Sequence, residues 1–398
     1  MTMALKFLSN ITFANPEKNK IAILHEYDFW IKKVILKDLP STTLGIYPQG
    51  YKLYVTPKLI ALLLSRLRFI SWLGFIKGMT IKGLFKQIYG QYILACLDQM
   101  QAKVVLTIID NSGFFHNLSR MDKQRTYFAI QNGARTLACV RDSLPAFPHP
   151  SSTISMTNFF CFGQRDIDLF NAHGHKIDAY FPVGSLMGGY YKSVVSIAPP
   201  EPKFDLCLIS QWHEHFFDEI AGNDFPQSAA RRTRAGIEGL NNFLLRLLSE
   251  TNLSMLICPR KDDAAERQYY ESIFGNRATI VKSDRNNFST YRTIEQCKLA
   301  IALNSTTLSE VFTWEQKTLW CNVPDDEHYE MPEAGHSYFH GGDYNAFKER
   351  VLELLEMSQN GYKKLTGERA RYINNYDPLN PPHEIIRSAV IKALSNSN

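Results

Sequence analysis

Short runs of apolar residues recur along the first half of the chain and show little alternation with polar residues. They are rich in β-branched and aromatic side chains, which is typical of parallel strands buried on both faces. The runs that predict strands are residues 20–26, 103–110, 126–131, 158–162 and 177–183. Polar, helix-like segments separate these runs, so the first half is predicted to alternate between strands and helices.

The same alternation of predicted strands and helices resumes after residues 197–203, where three prolines favour a stiff, extended connector. Beyond it, apolar runs again predict strands, and periodic patterns between them predict helices. The predicted strands are 204–210, 253–258, 278–282, 299–303 and 318–322. The predicted helices are 236–249, 264–274, 293–297, 307–314, 346–357 and 384–394.

Strands that alternate with helices on both sides of a connector predict an α/β protein with two Rossmann-like, doubly wound domains facing one cleft. We assign the first domain to residues 1–196 and the second to residues 204–375. Residues 376–398 are expected to form a C-terminal helix that crosses back to the first domain.

Composition and charge narrow the classes of protein to which the chain can belong. With 398 residues, 45% hydrophobic and 21% charged, it has the composition of a globular protein rather than a disordered one. Its 44 Lys and Arg residues against 39 Asp and Glu leave a net charge of +5. That excess suits anionic ligands but is small for a nucleic-acid-binding protein, so we expect no nucleic-acid partner.

Cysteine usage and hydropathy indicate a cytoplasmic protein. The seven cysteines are scattered without a C-x-x-C pair, which predicts buried, reduced thiols and no metal site. The first residues lack the apolar core and cleavage site of a signal peptide. No apolar run reaches the ~20 uncharged residues of a membrane-spanning helix.

Residues 58–86 are basic and rich in Leu, Ile and aromatic residues, and they contain no Asp or Glu. A helix of this composition is typical of a peripheral contact with a membrane surface. The alternative is a core helix whose basic face is solvated, and three glycines weaken any single continuous helix.

In doubly wound sheets, ligands bind beyond the carboxyl ends of the strands. Ser305, Thr306 and Thr307 follow the strand at 299–303 and begin a predicted helix. They offer hydroxyls, backbone N–H groups and the helix dipole to a phosphate. Glu310, one turn later, is a candidate for binding a ribose diol. The alternative is an ordinary N-cap with a capping-box glutamate, and the two interpretations are compatible.

Two further candidates lie in the second half. Arg260 and Lys261 follow the strand at 253–258 and are suited to neutralise a phosphate, although a solvated loop explains them equally well. Tyr291 is a candidate for stacking on a nucleotide base, with a core tyrosine as the alternative.

Polar residues at strand ends in the first half are suited to bind sugar hydroxyls and carboxylates. Asp110 and Asn111 end one predicted strand, and Gln131, Asn132 and Arg135 follow the next. Asp110 is a candidate general acid or base, with an N-cap as the alternative.

Three more candidates flank the predicted cleft. Asp178 and Ser185 end the first domain. His213, beside Glu214, is a candidate acid or base near neutral pH, and an exposed loop histidine is the alternative.

A series of motifs between about residues 104 and 322 resembles a known family. The motifs are IDNSGFFHNLSR, FAIQNGAR, FGQRDIDLF, PVGSL, LISQW and NSTTLSE. In this order they resemble bacterial surface carbohydrate biosynthesis proteins, and more narrowly the retaining β-Kdo transferases. Those enzymes use CMP-β-Kdo, where Kdo is 3-deoxy-D-manno-oct-2-ulosonic acid.

The resemblance implies a GT-B architecture, with an acceptor-side first domain and a second domain that binds the nucleotide sugar. It implies that Ser305, Thr306 and Glu310 contact the nucleotide phosphate and ribose. Gln131, Asn132 and Arg135 would then lie near the acceptor or the transferred sugar.

Two features of the family are not reproduced clearly. The carboxylate nucleophile has no assigned position, and Asp110 and Asp178 are the candidates. The family's Asp before Ser-Thr-Leu is Asn304 in this chain, which leaves the identity of the donor open.

The sequence therefore predicts a glycosyltransferase that moves a sugar from a nucleotide donor, CMP-β-Kdo by resemblance, to a lipid-linked bacterial glycan such as lipopolysaccharide O-antigen or capsule. No cofactor and no metal are expected, because a CMP leaving group needs none. The alternatives are a nucleotide-sugar 2-epimerase of the same architecture, a ribose- or polyol-phosphate transferase, and a non-catalytic binding partner.

Overall fold

Six parallel strands form a sheet in the first half of the chain, in the order β3-β2-β5-β6-β7-β8. The computed structural model describes residues 10–25, 30–45, 52–76, 81–136, 138, 155–196, 198, 200–217 and 227–396. The strands of this sheet are β2 Ile21–Leu24, β3 Ser41–Leu44, β5 Val104–Thr107, β6 Thr126–Ile130, β7 Ser155–Cys161 and β8 Lys176–Pro182. A separate parallel pair consists of β1 Ile11–Thr12 and β4 Leu53–Tyr54.

The second half forms another six-stranded parallel sheet, in the order β11-β10-β9-β12-β13-β14. Its strands are β9 Phe204–Ile209, β10 Met255–Cys258, β11 Thr279–Ile280, β12 Cys297–Ala302, β13 Lys317–Asn322 and β14 Tyr338–His340. Every residue of β13 is buried, including Lys317. Its ammonium group donates to the backbone carbonyls of Leu355 and Met357, which supplies the hydrogen bonds that a buried cation needs.

Helices connect the strands and cover the sheets. In the first half they are α1 Pro57–Ile76, α2 Ile81–Met100, α3 Gly113–Met121, α4 Gln164–Ala172 and α5 Leu186–Tyr190. In the second half they are α6 Glu214–Phe217, α7 Gln227–Glu250, α8 Ala264–Phe274, α9 Ser289–Ile294, α10 Thr306–Phe312, α11 Tyr344–Glu356, α12 Gln359–Ile373 and α13 Pro382–Ser395. Two π-helices, Ile31–Leu36 and Tyr191–Val195, and short 3-10 turns complete the described elements.

The α/β class and the two doubly wound sheets predicted from the sequence are confirmed. The predicted strands all appear, mostly within two residues of their ends, because their continuous apolar runs are buried on both faces. The helix predicted at 293–297 is wrong in position, since Ser289–Ile294 is helical and the next strand begins at Cys297. The short edge strands β3 and β14 and the polar helix α12 were not predicted.

Each sheet reverses its strand order at one place. In the second sheet the chain moves outward from β9 to β11 and then returns to the other side of β9 with β12. In the first sheet the reversal lies between β2 and β5. Ligands bind outside the carboxyl ends of the strands at such switch points.

The described helices include none with the length and apolar character that crossing a membrane requires. Part of the segment 58–86, predicted as a membrane contact, lies outside the described residues, namely residues 77–80. The remainder forms α1 and the start of α2.

The C-terminal helix α13 packs against the first half of the chain. Ile386 and Val390 are fully buried. Arg387 donates to the carbonyls of Ile35 and Leu36, at 2.9 and 2.8 Å, and forms an ion pair with Asp38. Helix α13 is therefore hydrogen-bonded to the π-helix Ile31–Leu36 of the first half.

This packing predicts a difference between two isoleucines of α13. Ile386 is 0% exposed and Ile391 is 42% exposed. We expect Ile386→Ala to lower the free energy of unfolding by about 2–5 kcal/mol, because it leaves a cavity in the core. Ile391→Ala should change it by about 0.5 kcal/mol or less. Urea denaturation checks both, and equal effects of the two substitutions would contradict the packing of α13.

Candidate functional site

The carboxyl ends of β9 and β12 are joined by one side chain. The Gln211 amide donates to the backbone carbonyl of Asn304 and accepts from its backbone N–H. The Asn304 side chain points elsewhere and donates to the carbonyl of His328 at 3.3 Å. A carboxylate cannot donate this bond, which gives a physical reason for Asn at the position where the resembling family has Asp.

A cavity of about 280 Å³ lies beyond these strand ends. We call it the second-sheet cavity. Its lining includes Ser210, Arg260, Tyr291, Ser305, Thr306 and Thr307. It thus brings together most of the residues predicted to bind a nucleotide.

Ser305, Thr306 and Thr307 begin α10 as predicted. The Ser305 hydroxyl accepts from the Thr307 N–H at 3.3 Å, so Ser305 is the N-cap. The Thr306 hydroxyl accepts from the backbone N–H of Ala134 at 3.0 Å, across from the first sheet. The capping box expected for Glu310 does not form, because the cap is Ser305 and Glu310 accepts from Ser185 and Tyr291 instead. All three hydroxyl residues line the cavity.

Glu310 is buried and bridges the two halves of the chain. One oxygen accepts from the Ser185 hydroxyl at 2.5 Å, and the other accepts from the Tyr291 hydroxyl at 2.6 Å. Burial raises the pKa of the Glu310 carboxyl, although the two hydroxyls and nearby Arg285 oppose that rise. Glu310 lines the second-sheet cavity, but its hydrogen bonds are made to the protein.

Tyr291 belongs to an aromatic cluster at the cavity wall. Its ring stacks on Tyr191 at 4.9 Å and contacts Phe288 and Trp314. Burial holds the pKa of its hydroxyl well above the usual range, so the hydroxyl remains a donor to Glu310. This packing favours the core-tyrosine alternative over stacking on a base.

Phe288 is a strained residue beside that cluster. It has a φ of 56°, in the left-handed region that side chains other than Asn, Asp and Gly rarely adopt. It lines the second-sheet cavity and is the residue from which α9 begins. Backbone strain of this kind accumulates at binding sites, and nothing in the sequence reveals it.

Arg260 and Lys261 differ in position. Both backbone N–H groups donate to the carboxylate of Glu266, which is buried and also accepts from the Ser210 hydroxyl. Both side chains are exposed, but Arg260 lines the cavity and Lys261 does not. Glu266 therefore shapes the loop that presents Arg260, and the sequence analysis did not identify it.

A second cavity of about 490 Å³ lies between the two sheets. We call it the inter-domain cavity. It shares Asn132, Met187, Arg285 and Glu310 with the second-sheet cavity, so the two adjoin. Its other lining residues are mostly apolar and include Trp30, Ile108, Ile109 and Leu186. Arg285 places a cation where the cavities meet, and the sequence analysis missed it because its polar loop has no distinctive motif.

Gln131 and Ser185 line the inter-domain cavity, but their polar atoms are occupied. The Gln131 amide donates to the Gly133 carbonyl and to Asp166, and it accepts from the Phe162 N–H at 2.9 Å. Ser185 caps α5 and donates to Glu310. Both side chains hold the loops that frame the cavity.

Asp110 and Arg135 form a buried ion pair. One Arg135 nitrogen lies 2.8 Å from each oxygen of the Asp110 carboxylate. The Nε2–H of His116 donates to the Asp110 backbone carbonyl, and burial lowers the pKa of this histidine to about 4. Neither Asp110 nor Arg135 is among the residues that line the two cavities. The pair holds the turn at Asn132, whose N–H points to Asp110.

Three further predicted residues lie outside the linings of the cavities. Asp178 is exposed and lies four residues before the carboxyl end of β8, about 13 Å away at strand spacing. The His213 ring packs near Phe216, with ring centres 5.7 Å apart. Asn111 follows Asp110 outside the lining of either cavity.

The part of the chain that the structure describes contains no group of three or more His, Cys, Asp or Glu side chains that could hold a metal ion.

No protein-family model and no curated protein matches the sequence. Solved structures do match the fold across nearly the whole chain. A putative UDP-N-acetylglucosamine 2-epimerase from Listeria monocytogenes is 12% identical with a TM-score of 0.57, covering 96% of this chain and 98% of that one.

Two more solved structures extend this comparison. The UDP-GlcNAc 2-epimerase from Neisseria meningitidis, bound to UDP-GlcNAc, is 12% identical with a TM-score of 0.53, over 94% of this chain and 99% of that one. The wall teichoic acid polymerase TagF is 9% identical with a TM-score of 0.50, over 96% and 90%. These likenesses establish a GT-B-like fold with two parallel-sheet α/β domains.

The buried Asp166 behind Gln131 predicts a pH dependence of stability. Burial raises the pKa of its carboxyl from 3.8 to about 6. Between about pH 4 and 6 the folded state therefore holds a proton that the unfolded state releases, and stability is lost as the pH rises through this window. Relative to wild type, Asp166→Asn should gain about 2 kcal/mol in free energy of unfolding from pH 4 to pH 7.

Urea denaturation across this pH range measures the effect. Asp168→Asn is the matched control, because Asp168 is exposed and lies on the same helix. A difference between wild type and Asp166→Asn that does not change with pH would contradict the ionisation of a buried carboxyl at this position.

Proposed function

We propose that this chain is an enzyme that acts on a nucleotide-activated sugar. The observation that carries the proposal is the pair of adjoining cavities at the switch points of two doubly wound sheets. One cavity offers hydroxyls and Arg260, and the other is larger and lies between the domains. Arg285 lines both cavities, and its guanidinium group is suited to bind the phosphate that joins a nucleotide to a sugar.

In this proposal the nucleotide occupies the second-sheet cavity. Its phosphate accepts from the O–H groups of Ser305, whose oxygen also caps α10, and of Thr307, and it is neutralised by Arg260. We assign the Thr306 hydroxyl to the contact between the domains instead, because it accepts from the Ala134 N–H of the first domain. The sugar then extends past Asn132 into the inter-domain cavity.

Epimerisation at C2 of a UDP-sugar is the first reaction that we propose. It is supported by the 2-epimerases among the structures that share the fold over more than nine-tenths of this chain. The reaction needs a group that exchanges a proton with carbon, and Glu310 is the carboxyl that the described lining offers. Burial raises the pKa of this carboxyl, and a carboxyl can serve as a general acid and base.

Glycosyl transfer is the second candidate, and the size and apolar lining of the inter-domain cavity favour it. A transferase must hold an acceptor as well as the donor sugar, and aromatic and aliphatic side chains such as Trp30 and Ile108 suit the faces of sugar rings. CMP-β-Kdo as donor and a lipid-linked glycan as acceptor are the finer proposals that the sequence resemblance supports.

The first test is binding of CMP, CDP, UDP, GDP and ADP, measured by calorimetry. We expect UDP to bind most tightly, and Arg260→Ala to weaken its binding by roughly tenfold to a hundredfold, since a hydrogen bond to a charged group contributes about 1.5–3 kcal/mol. Lys261→Ala is the matched control, because this neighbouring cation does not line the cavity. A preference for CMP would instead favour the Kdo donor, and no binding of any nucleotide would refute the proposal.

The second test separates the two reactions with UDP-GlcNAc alone in deuterated water. Epimerisation breaks the C2–H bond, so we expect the 2-epimer to form with deuterium at C2, and Glu310→Gln to abolish that exchange. Nuclear magnetic resonance follows both products. A donor that stays intact until a glycan acceptor is added would exclude epimerisation and support transfer.

A further inference from the structure

The acidic residues of one long segment are all neutralised inside the protein. From residue 58 to residue 125 the sequence contains ten Lys and Arg but only three acidic residues, Asp98, Asp110 and Asp122. Asp98 pairs with Arg66 and Arg125, and Asp122 also pairs with Arg125. Asp110 pairs with Arg135 outside the segment. The outer surface of this segment therefore carries cations without compensating carboxylates of its own.

Four cations of the described part of this segment reach solvent on or just after three successive helices. Lys58 on α1, Lys86 on α2, Arg120 on α3 and Lys123 just after α3 are all exposed. These helices pack in sequence, α1 on α2 and α2 on α3. Together they form one layer over the first sheet, which we call the basic helical layer. Arg66, predicted from the sequence to belong to a basic face, instead turns inward to Asp98.

The same layer exposes large apolar side chains. Five of the ten large hydrophobic residues that are exposed in the described structure belong to it, namely Ile60, Leu64, Leu84, Phe85 and Met121. Phe85 is 67% exposed and Leu64 is 58% exposed. Single exposed apolar residues are common, but a concentration of them on one unit marks an interaction surface.

We propose that the basic helical layer is a docking surface for an anionic lipid bilayer. A surface with both apolar and basic side chains suits the boundary between lipid headgroups and acyl chains. There the apolar side chains enter the hydrocarbon region, and the lysines and arginines contact the anionic headgroups. A nucleic acid would use the cations but has no use for exposed Leu64 and Phe85.

A second copy of the chain is a poorer occupant of this surface. A symmetric dimer brings the same patch of both subunits together, which would oppose Lys58, Lys86 and Arg120 with their own counterparts. Like charges in an interface oppose association. The bilayer proposal rests on this surface alone and does not depend on the reaction that the cleft catalyses.

The test is flotation of the full chain with vesicles of phosphatidylcholine alone or mixed with phosphatidylglycerol. We expect binding to the anionic vesicles only, and weaker binding as salt rises. Replacing both Arg120 and Lys123 with Gln should weaken binding by roughly thirtyfold, because each cation near an anionic surface contributes about 1 kcal/mol. The double variant Leu64→Glu and Phe85→Glu should abolish binding.

Leu379→Glu is the matched control, because Leu379 is 87% exposed and lies far along the chain, between α12 and α13. It should bind like wild type, and thermal unfolding checks that every variant folds. Absent or lipid-independent binding of wild type would overturn the proposal. Full binding by the Leu64 and Phe85 variant would also overturn it, because the surface would then be purely electrostatic. A wild-type dimer in gel filtration that this variant dissociates would overturn it too, because the surface would then be a subunit interface.

Discussion

The buried carboxylate of Glu310 is the constraint on which the relation between the two domains depends. A carboxylate removed from water must receive hydrogen bonds, because an uncompensated buried charge costs several kcal/mol. Ser185 comes from the loop after the last strand of the first sheet, and Tyr291 from a helix of the second. Both hydroxyls are needed, so the two sheets are held at the separation that these bonds allow.

Asn374 completes the same junction from a third segment. Its side chain accepts from the Ser185 N–H and donates to the carbonyl of Ser309, the neighbour of Glu310. Gly188 makes the approach possible, since a Cβ there would lie 2.9 Å from the Cβ of Glu310. The chain that leaves the second sheet for α13 therefore passes through the contact that closes the cleft, and the cavities, the junction and the C-terminal helix form one connected structure.

The sequence predicts correctly those features that residues close together in the chain determine. Continuous apolar runs are buried strands, and the run of hydroxyl residues at 305–307 begins a helix as predicted. The sequence did not identify the partners of Asp110 and Glu310, because pairing is set by side chains that the fold brings together from 25 and 125 residues away. Asp178 illustrates a different error. The predicted strand at 177–183 already placed it near the amino end, away from the edge at which ligands bind, and β8 keeps it there.

The charges of the chain are distributed unevenly between the basic helical layer and the rest of the molecule. The excess of seven cations in residues 58–125 is larger than the net charge of +5 of the whole chain, so the remainder is slightly acidic. Three carboxylates of this segment form ion pairs with arginines, and these pairs position helices and the turn at Asn132. The carboxylates are those of Asp98, Asp110 and Asp122. These three carboxylates thus serve the architecture of the first domain, whereas Arg260 and Arg285 remain at the cavities. The two proposals, a nucleotide in the cavities and an anionic bilayer at the basic helical layer, therefore place anions on two separate faces, so neither ligand would compete with the other.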